Sequence, residues 1–420
     1  MNEKVLSFIW FNRLYNQADL VTTKGEKIDI IKTGFQNRDS GPDITDAQIR
    51  IGNIVWAGNI ELHVKSSHWQ LHHHQNNPAY SNIILHVVFY DDNPLVDRYG
   101  NAVPTLVLPF ESKYADVYNH LISDLNNEIC RCGFKSFGPL KTSSFLDRLA
   151  TERIVDKSQA VLETLNRNKG NWTETFWQHL ARAFGFGKNS MPFQLLAQSV
   201  SFTLLQRNRH SLDIVMAILY GQAGFFQLER FATPQYDKIR RMYEYQQLKY
   251  SLTPIDPSAW KFSGMRPVNF PNRRLQQLAL LAVQNGSIFS TITDTQNIDT
   301  VQDIFTFSNK DIKCNVLPSF IVSPLGNDTV NLLIINLVVP FIYAYSTLYN
   351  NDEMAQTAVS FLEKLPPEKN SVVTKMSHQA TVPSSAFESQ ALLHLYNNYC
   401  KPKRCIECQL GRYVVRNAAR

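Results

Sequence analysis

The sequence predicts an α+β protein: a strand-rich N-terminal part, then a larger all-α part, closed by a cysteine-rich tail. Three observations carry this. Up to about Phe110, short runs of alternating apolar and polar residues are separated by glycine-bearing turns. Beyond about residue 140, apolar residues recur at helical spacing. Three of the six cysteines crowd between Cys400 and Cys408. The expected divisions are 1–135 for the α/β domain, 140–395 for the helical domain and 396–420 for the basic, cysteine-rich tail. A composition of 44% hydrophobic and 19% charged residues excludes a disordered chain. The net charge of +6 permits a polyanionic partner without requiring one.

The elements follow in order. Glu3–Tyr15 reads as a helix. Strand-like runs then occupy Gly25–Gly34, Asp46–Trp56, Asn59–Lys65, Asn82–Asp92 and Ala102–Phe110. In the helical part, Ser144 and Asp147 form a start signal, and Leu146, Leu149, Ala150, Ile154, Val161 and Leu165 share one face. Phe176, Trp177, Leu180, Ala183 and Phe184 make a second stripe, ended by Gly185. Together with Gly187, Gly185 reads as helix termination rather than a phosphate loop. Further helices are expected over Leu195–Gln206, Ser211–Leu219, Asp237–Gln247, Arg274–Val283, Leu332–Tyr349 and Glu353–Leu365. Arg266, Arg273 and Arg274 read as solvated residues at a helix start.

The longest uncharged segment, Thr329–Asn351, is nearly long enough to span a bilayer, but Asn331, Asn336 and Pro340 interrupt it. It is expected to be a pair of buried core helices. The N-terminus lacks the basic start and long apolar core of a secretory signal, so no membrane association and a cytoplasmic location are expected.

Chemistry concentrates on the stretch NIELHVKSSHW (Asn59–Trp69). Strict alternation places Glu61, His63 and Lys65 on one strand face, about 7 Å apart. Upstream, Pro42-Asp43 enters the preceding strand. Order and residues together resemble the PD-(D/E)XK nuclease superfamily. That resemblance implies a restriction-endonuclease-like α/β core with a mixed sheet, over about a quarter of the chain. It further implies Mg²⁺ (or Mn²⁺) bound by Asp43 and Glu61, and DNA or RNA as the partner. His63 stands where the superfamily has lysine, which makes it a candidate base or third ligand. Lys65, one pleat further on, is a candidate electrostatic stabiliser. Asp46 is a second candidate acid if the strand register differs. The alternatives are a solvent-facing strand, a nuclease fold without catalysis that serves as a nucleic-acid-binding or scaffold protein, and a metal-dependent hydrolase built on His63, His68 and His72. The run containing His68, His72, His73 and His74 reads as a lined groove or surface loop, and His86 as a core histidine.

The tail holds C-x4-C-x2-C at Cys400, Cys405 and Cys408, a spacing at which three thiolates can share a soft ion. Cys130 or Cys132 is the expected fourth donor, with His394 as the local alternative. Zn²⁺ and an iron–sulfur cluster both suit such a set, and unligated thiols are the other reading. Lys401, Lys403, Arg404, Arg412, Arg416 and Arg420 surround the cysteines against Glu407 alone, as a phosphate-contacting surface or simply a soluble terminus. Some PD-(D/E)XK nucleases carry one upstream cysteine and three near the C-terminus. The outline is similar here, although both upstream cysteines follow the candidate strands. Finally, the run SGPDITDAQIRIGNIVWAGNIELHVKSSHW and the ending YCKPKRCIECQLG resemble a bacterial family carried as a domain of unknown function. That resemblance implies no activity.

Overall fold

A computed structural model describes residues 3–417, apart from 38, 125–127, 285, 287, 307–313, 315 and 317–323. Arg420 of the basic tail lies outside the described residues. The chain divides into two units. The first comprises Met1–Phe145, Lys375–Thr381 and Leu395–Arg420, and the second Leu146–Thr374 and Val382–His394.

In the first unit, helix α1 (Glu3–Phe11) precedes strands β1 (Ile28–Lys32), β2 (Phe35–Gln36), β3 (Ile44–Ile51) and β4 (Ile54–Lys65). The short helix α2 (His68–Leu71) leads on to β5 (Ile83–Tyr90) and β6 (Thr105–Val107). The sheet has the order β1-β3-β4-β5-β6, with β2 beside β3. β3 runs antiparallel to its neighbours β1 and β4, and β4, β5 and β6 run parallel. The run Asp46–Trp56, expected as one strand, is a hairpin. Gly52, at a φ of 57°, starts a two-residue loop that returns the chain with Ile51 opposite Ile54. β2 is too short to have shown a pattern.

α1 buries Val5, Leu6, Phe8, Ile9 and Trp10 and packs on β4. Ile44, Ile49, Ile60, Leu62, Leu85 and Val87 complete this core, joined by Tyr114, Tyr118 and Leu121 of α3 (Lys113–Ser123), a helix the periodicity did not announce. On the other face of β4 and β5, Glu61, His63 and His86 are buried as well. Central strands covered on both sides are the usual condition of parallel pairing. It turns the polar row of β4 into an interior feature. α4 (Glu128–Phe137) packs against the C-terminal helix Gln409–Asn417, so the tail belongs to this unit.

The second unit is helical. α5 (Pro139–Arg167) starts at Pro139 rather than Ser144, because proline suits the first turn, where its missing N–H has no partner to lose. The expected Leu195–Gln206 helix is two helices, Ser190–Ser199 and Phe202–Arg207. Ser201 separates them, and its Oγ accepts from Leu204 N at 3.2 Å. Trp172–Phe184 ends at Gly185 as expected. Arg274 is buried rather than solvated: Nη1 donates to Gln277 at 3.0 Å, and the guanidinium lies 4.2 Å over Phe186.

Asn327–Tyr349 is one continuous helical run, not the expected pair, and is long and apolar enough to cross a membrane. Its most apolar window is 61% buried. Pro340 is absorbed by a π-helical turn over Ile334–Val338, which widens the helix just before the missing N–H. The exposed Asn336 in that turn accepts from Lys157 Nζ at 2.6 Å.

Packing in this unit is close enough for a single methyl group to be felt. A Cβ at Gly221 would lie 2.1 Å from the Tyr243 ring. Gly221→Ala is therefore expected to destabilise the protein by about 2–4 kcal/mol, read as a lowered urea midpoint.

Candidate metal centre

The entry to β3 and the second half of β4 bring Asp43 and Glu61 together through their backbones. Asp43 N donates to Glu61 Oε2 at 3.0 Å, and Leu62 N donates to Asp43 Oδ2 at 3.1 Å. This reciprocal clamp fixes both carboxylates while leaving Glu61 Oε1 for other partners. Asp46 does not share the site. It is exposed, with a φ of 55°, at the register shift between Ile44 and Ala47, and this bulge keeps both of those residues in the core.

Histidines close around Glu61 Oε1. His74 Nε2 is 3.3 Å away and His63 Nε2 is 3.7 Å away. His63 Nε2 also lies 3.2 Å from His72 Nδ1, and His63 Nδ1 lies 2.8 Å from His86 Nε2. One nitrogen from each of His63, His72 and His74 falls within 4.8 Å of the others, a spacing at which the three can share an ion. His73, at a φ of 58°, is the left-handed residue that turns His74 back toward the strand. Tyr80 stacks on the His74 ring at 4.0 Å, and Trp69 meets both His74 and His86 edge-on. These aromatic walls hold the rings in place and exclude water from one side.

Burial raises both acids, Asp43 to about 6 and Glu61 to about 9, and their mutual repulsion raises Glu61 further. Glu3 of α1 adds a third negative charge to both and approaches His68 at 3.9 Å. Burial likewise pushes the imidazoles down, His63 to about 2, His86 to about 3 and His74 to about 4. The rings are therefore neutral, with lone pairs to offer. His74 Nε2 is buried without a hydrogen-bond partner. Crowded acids, neutral imidazoles and an orphaned buried nitrogen together fit a divalent cation.

Of the four residues expected to act, Asp43, Glu61 and His63 meet here. Lys65 is exposed at the end of β4, and its ammonium is 4.0 Å from Asp92, just past the end of β5. His86, expected as a core histidine, is fully buried and joined to His63. His72 belongs with His63 to the alternative histidine set, but in place of His68 the third member is His74, whose part was not anticipated, nor was that of Glu3. The available signal was density, since six of the eleven histidines lie between residues 63 and 86.

The cysteines form a second locus. Cys130, Cys400, Cys405 and Cys408 lie within electrostatic reach of one another, whereas Cys132 is exposed. His394, the alternative donor, falls in the second unit, where its Nε2 is 3.2 Å from Glu152.

No curated protein and no solved structure matches the chain. A family profile matches residues 3–371, and the chain thus belongs to the family described as protein of unknown function DUF2851.

Proposed function

We propose that the protein is a metal-dependent hydrolase of nucleic-acid phosphodiesters, with its centre at Asp43, Glu61, His63, His72 and His74. One observation carries the reading: two backbone-clamped carboxylates lie beside three imidazoles whose nitrogens fall within 4.8 Å of one another, with Glu61 Oε1 3.3 Å from His74 and 3.7 Å from His63. Imidazole donors favour Mn²⁺ or Zn²⁺ over the Mg²⁺ that a purely acidic site would take. Such an ion supplies Lewis acidity and lowers the pKa of water.

The residues have distinct work. Asp43 and Glu61 provide the charge that holds a cation. His63 is positioned by His86 from behind, so its Nε2 faces the carboxylates and can take a proton. The choice of phosphodiester rests on three supports. Helix, antiparallel meander and crossover to a parallel strand occur in the order of the nuclease superfamily. Asp43 directly precedes β3 and Glu61 lies on β4, which is the order the resemblance implies. Arg412 and Arg416 are exposed one turn apart on the C-terminal helix, opposite buried Leu410 and Val415, which suits a phosphate-contacting face.

The test is incubation with single- and double-stranded DNA and RNA, and with a generic phosphodiester ester, under Mn²⁺, Zn²⁺ or Mg²⁺. Cleavage under Mn²⁺ or Zn²⁺ is expected, with a loss of about a hundredfold or more in Asp43→Ala and in the double variant His72→Ala/His74→Ala. Equal cleavage by the variants would reject the site. Cleavage of the small ester without any nucleic acid would favour the histidine-cluster hydrolase of a different substrate, for which the imidazole convergence is the supporting observation.

A further inference from the structure

The second unit carries a polar cluster of its own, gathered round one amine. We propose that Lys157 is a reactive amine that condenses with a small aldehyde or ketone to form an imine.

Four segments assemble the cluster. α5 presents Arg153 and Lys157 four residues apart, so both side chains leave the same face of the helix. The helix Ala386–His394 supplies Gln390, which is 2% exposed. Its Oε1 accepts from Arg153 Nε at 2.6 Å and from Lys157 Nζ at 3.0 Å, while its Nε2 donates to Glu368 Oε2 at 2.8 Å. Cations on the oxygen and an acid on the nitrogen leave the amide one orientation. Glu368 is itself held, since its Oε1 accepts from Asn370 at 2.9 Å and its backbone N donates to Ser389 Oγ at 3.0 Å. The π-helical turn Ile334–Val338 adds Asn336, whose Oδ1 accepts from Lys157 Nζ at 2.6 Å.

This geometry suits a neutral amine. Among the described residues, two acceptors meet Lys157, and both are uncharged amide oxygens rather than the carboxylate an ammonium usually takes. A neutral amine donates its two N–H groups to those two oxygens and keeps a lone pair. The Glu368 carboxylate is reached through Gln390, whereas the Arg153 guanidinium shares the very oxygen that Lys157 uses. A lysine withdrawn from water beside another cation is the usual form of an imine-forming lysine. Burial first and Arg153 second lower the amine from 10.5 to about 7, against the opposing charge of Glu368. Glu152, Asp156 and His394 form the adjoining group. There His394 Nε2 lies 3.2 Å from Glu152 and Nδ1 3.8 Å from Asp156, and Asp156 acts on Arg153. Lys157 is half-buried and its partner Asn336 is exposed, which puts the amine at the margin of the interior, where a small molecule can arrive.

The step balances as follows. The Nζ lone pair adds to the carbonyl carbon, and a C=N bond forms as the carbonyl oxygen leaves. That oxygen carries away the two amine hydrogens as water, so nothing is oxidised or reduced.

The test is reductive ethylation of the full chain with limiting acetaldehyde and cyanoborohydride, which reduces the imine to a stable secondary amine. Peptide mapping then gives the rate at each lysine as a function of pH. At neutral pH, Lys157 is expected to react about tenfold or more faster than lysines that keep the ordinary value of about 10.4. Its rate should be half-maximal near pH 7. Arg153→Gln should raise that half-point and Glu368→Gln should lower it, shifts that a merely structural tie would not produce. In urea the advantage should vanish. Labelling of Lys157 no faster than the other lysines at neutral pH, or half-maximal only in their alkaline range, would overturn the proposal. That reading uses wild-type protein, so it does not depend on any variant folding, and no residue of the histidine centre takes part.

Discussion

Glu61→Gln is expected to lower metal-dependent hydrolysis about a thousandfold and at the same time to raise the melting temperature of the metal-free protein. Both effects follow from one placement. Glu61 is buried beside Asp43, and burial first and repulsion second hold its carboxyl up to about 9. At neutral pH without a cation, the folded state must either take up a proton there or tolerate two adjacent charges. Glutamine keeps the shape and can still accept from Asp43 N, but it carries no charge. The fold gains about 1–3 kcal/mol from such relief, enough to move a melting curve by a few degrees. A cation can no longer be held with the same strength, and activity goes. Paired calorimetry and kinetics check this. A variant that melts lower than wild type without metal would show that Glu61 is not the strained member of the pair.

The second large effect is a reversal of the pH dependence of stability by metal. Glu61 is raised from 4.5 to about 9 in the fold, and Asp43 from 3.8 to about 6. A raised acid binds its proton more tightly folded than unfolded, so its contribution is present at low pH and is lost as pH rises to the folded value. His63, His74 and His86 are lowered from 6.5 to about 2, 4 and 3. In the unfolded chain they take up protons below 6.5, so their contribution is lost as pH falls below that value. The metal-free protein should therefore be most stable near pH 6.5 and weaken toward pH 9. Saturating Mn²⁺ or Zn²⁺ binds the deprotonated acids, and should turn that alkaline decline into a plateau or a rise. Urea midpoints at several pH values, with and without metal, check it. An alkaline decline unchanged by metal would mean that no cation binds these carboxylates.

Much of this was legible because it is local. The alternation of Ile60, Leu62 and Val64 against Glu61, His63 and Lys65 identified β4 and its special face, and Pro42-Asp43 pointed to the partner acid. What escaped depended on tertiary placement. A bulge between Ile44 and Ala47 decides that Asp43, not Asp46, meets Glu61, and no period reveals an inserted residue. His74 reaches Glu61 only because His73 adopts a left-handed conformation, which composition does not announce. Lys65 obeys the strand period yet turns to Asp92, a residue supplied by the end of the neighbouring strand. In the helical part, Ser144 looked like a start signal, but Pro139 one and a half turns earlier was the stronger one. Local signals of this kind compete at helix ends, so boundaries shift while helices persist.

The discontinuity of the first unit has a consequence for synthesis. A ribosome that has just released the sheet and α4 has still to make the whole second unit before the residues that cover α4 exist. Contacts separated by so much chain form late, and until then an apolar helix face is open to aggregation. Chains cut short before Leu395 carry every residue of the histidine centre yet none of the closing helix. Completion of the N-terminal fold is in this way coupled to synthesis of the segment from Leu395 onward, and a product ended before that segment exposes its own defect.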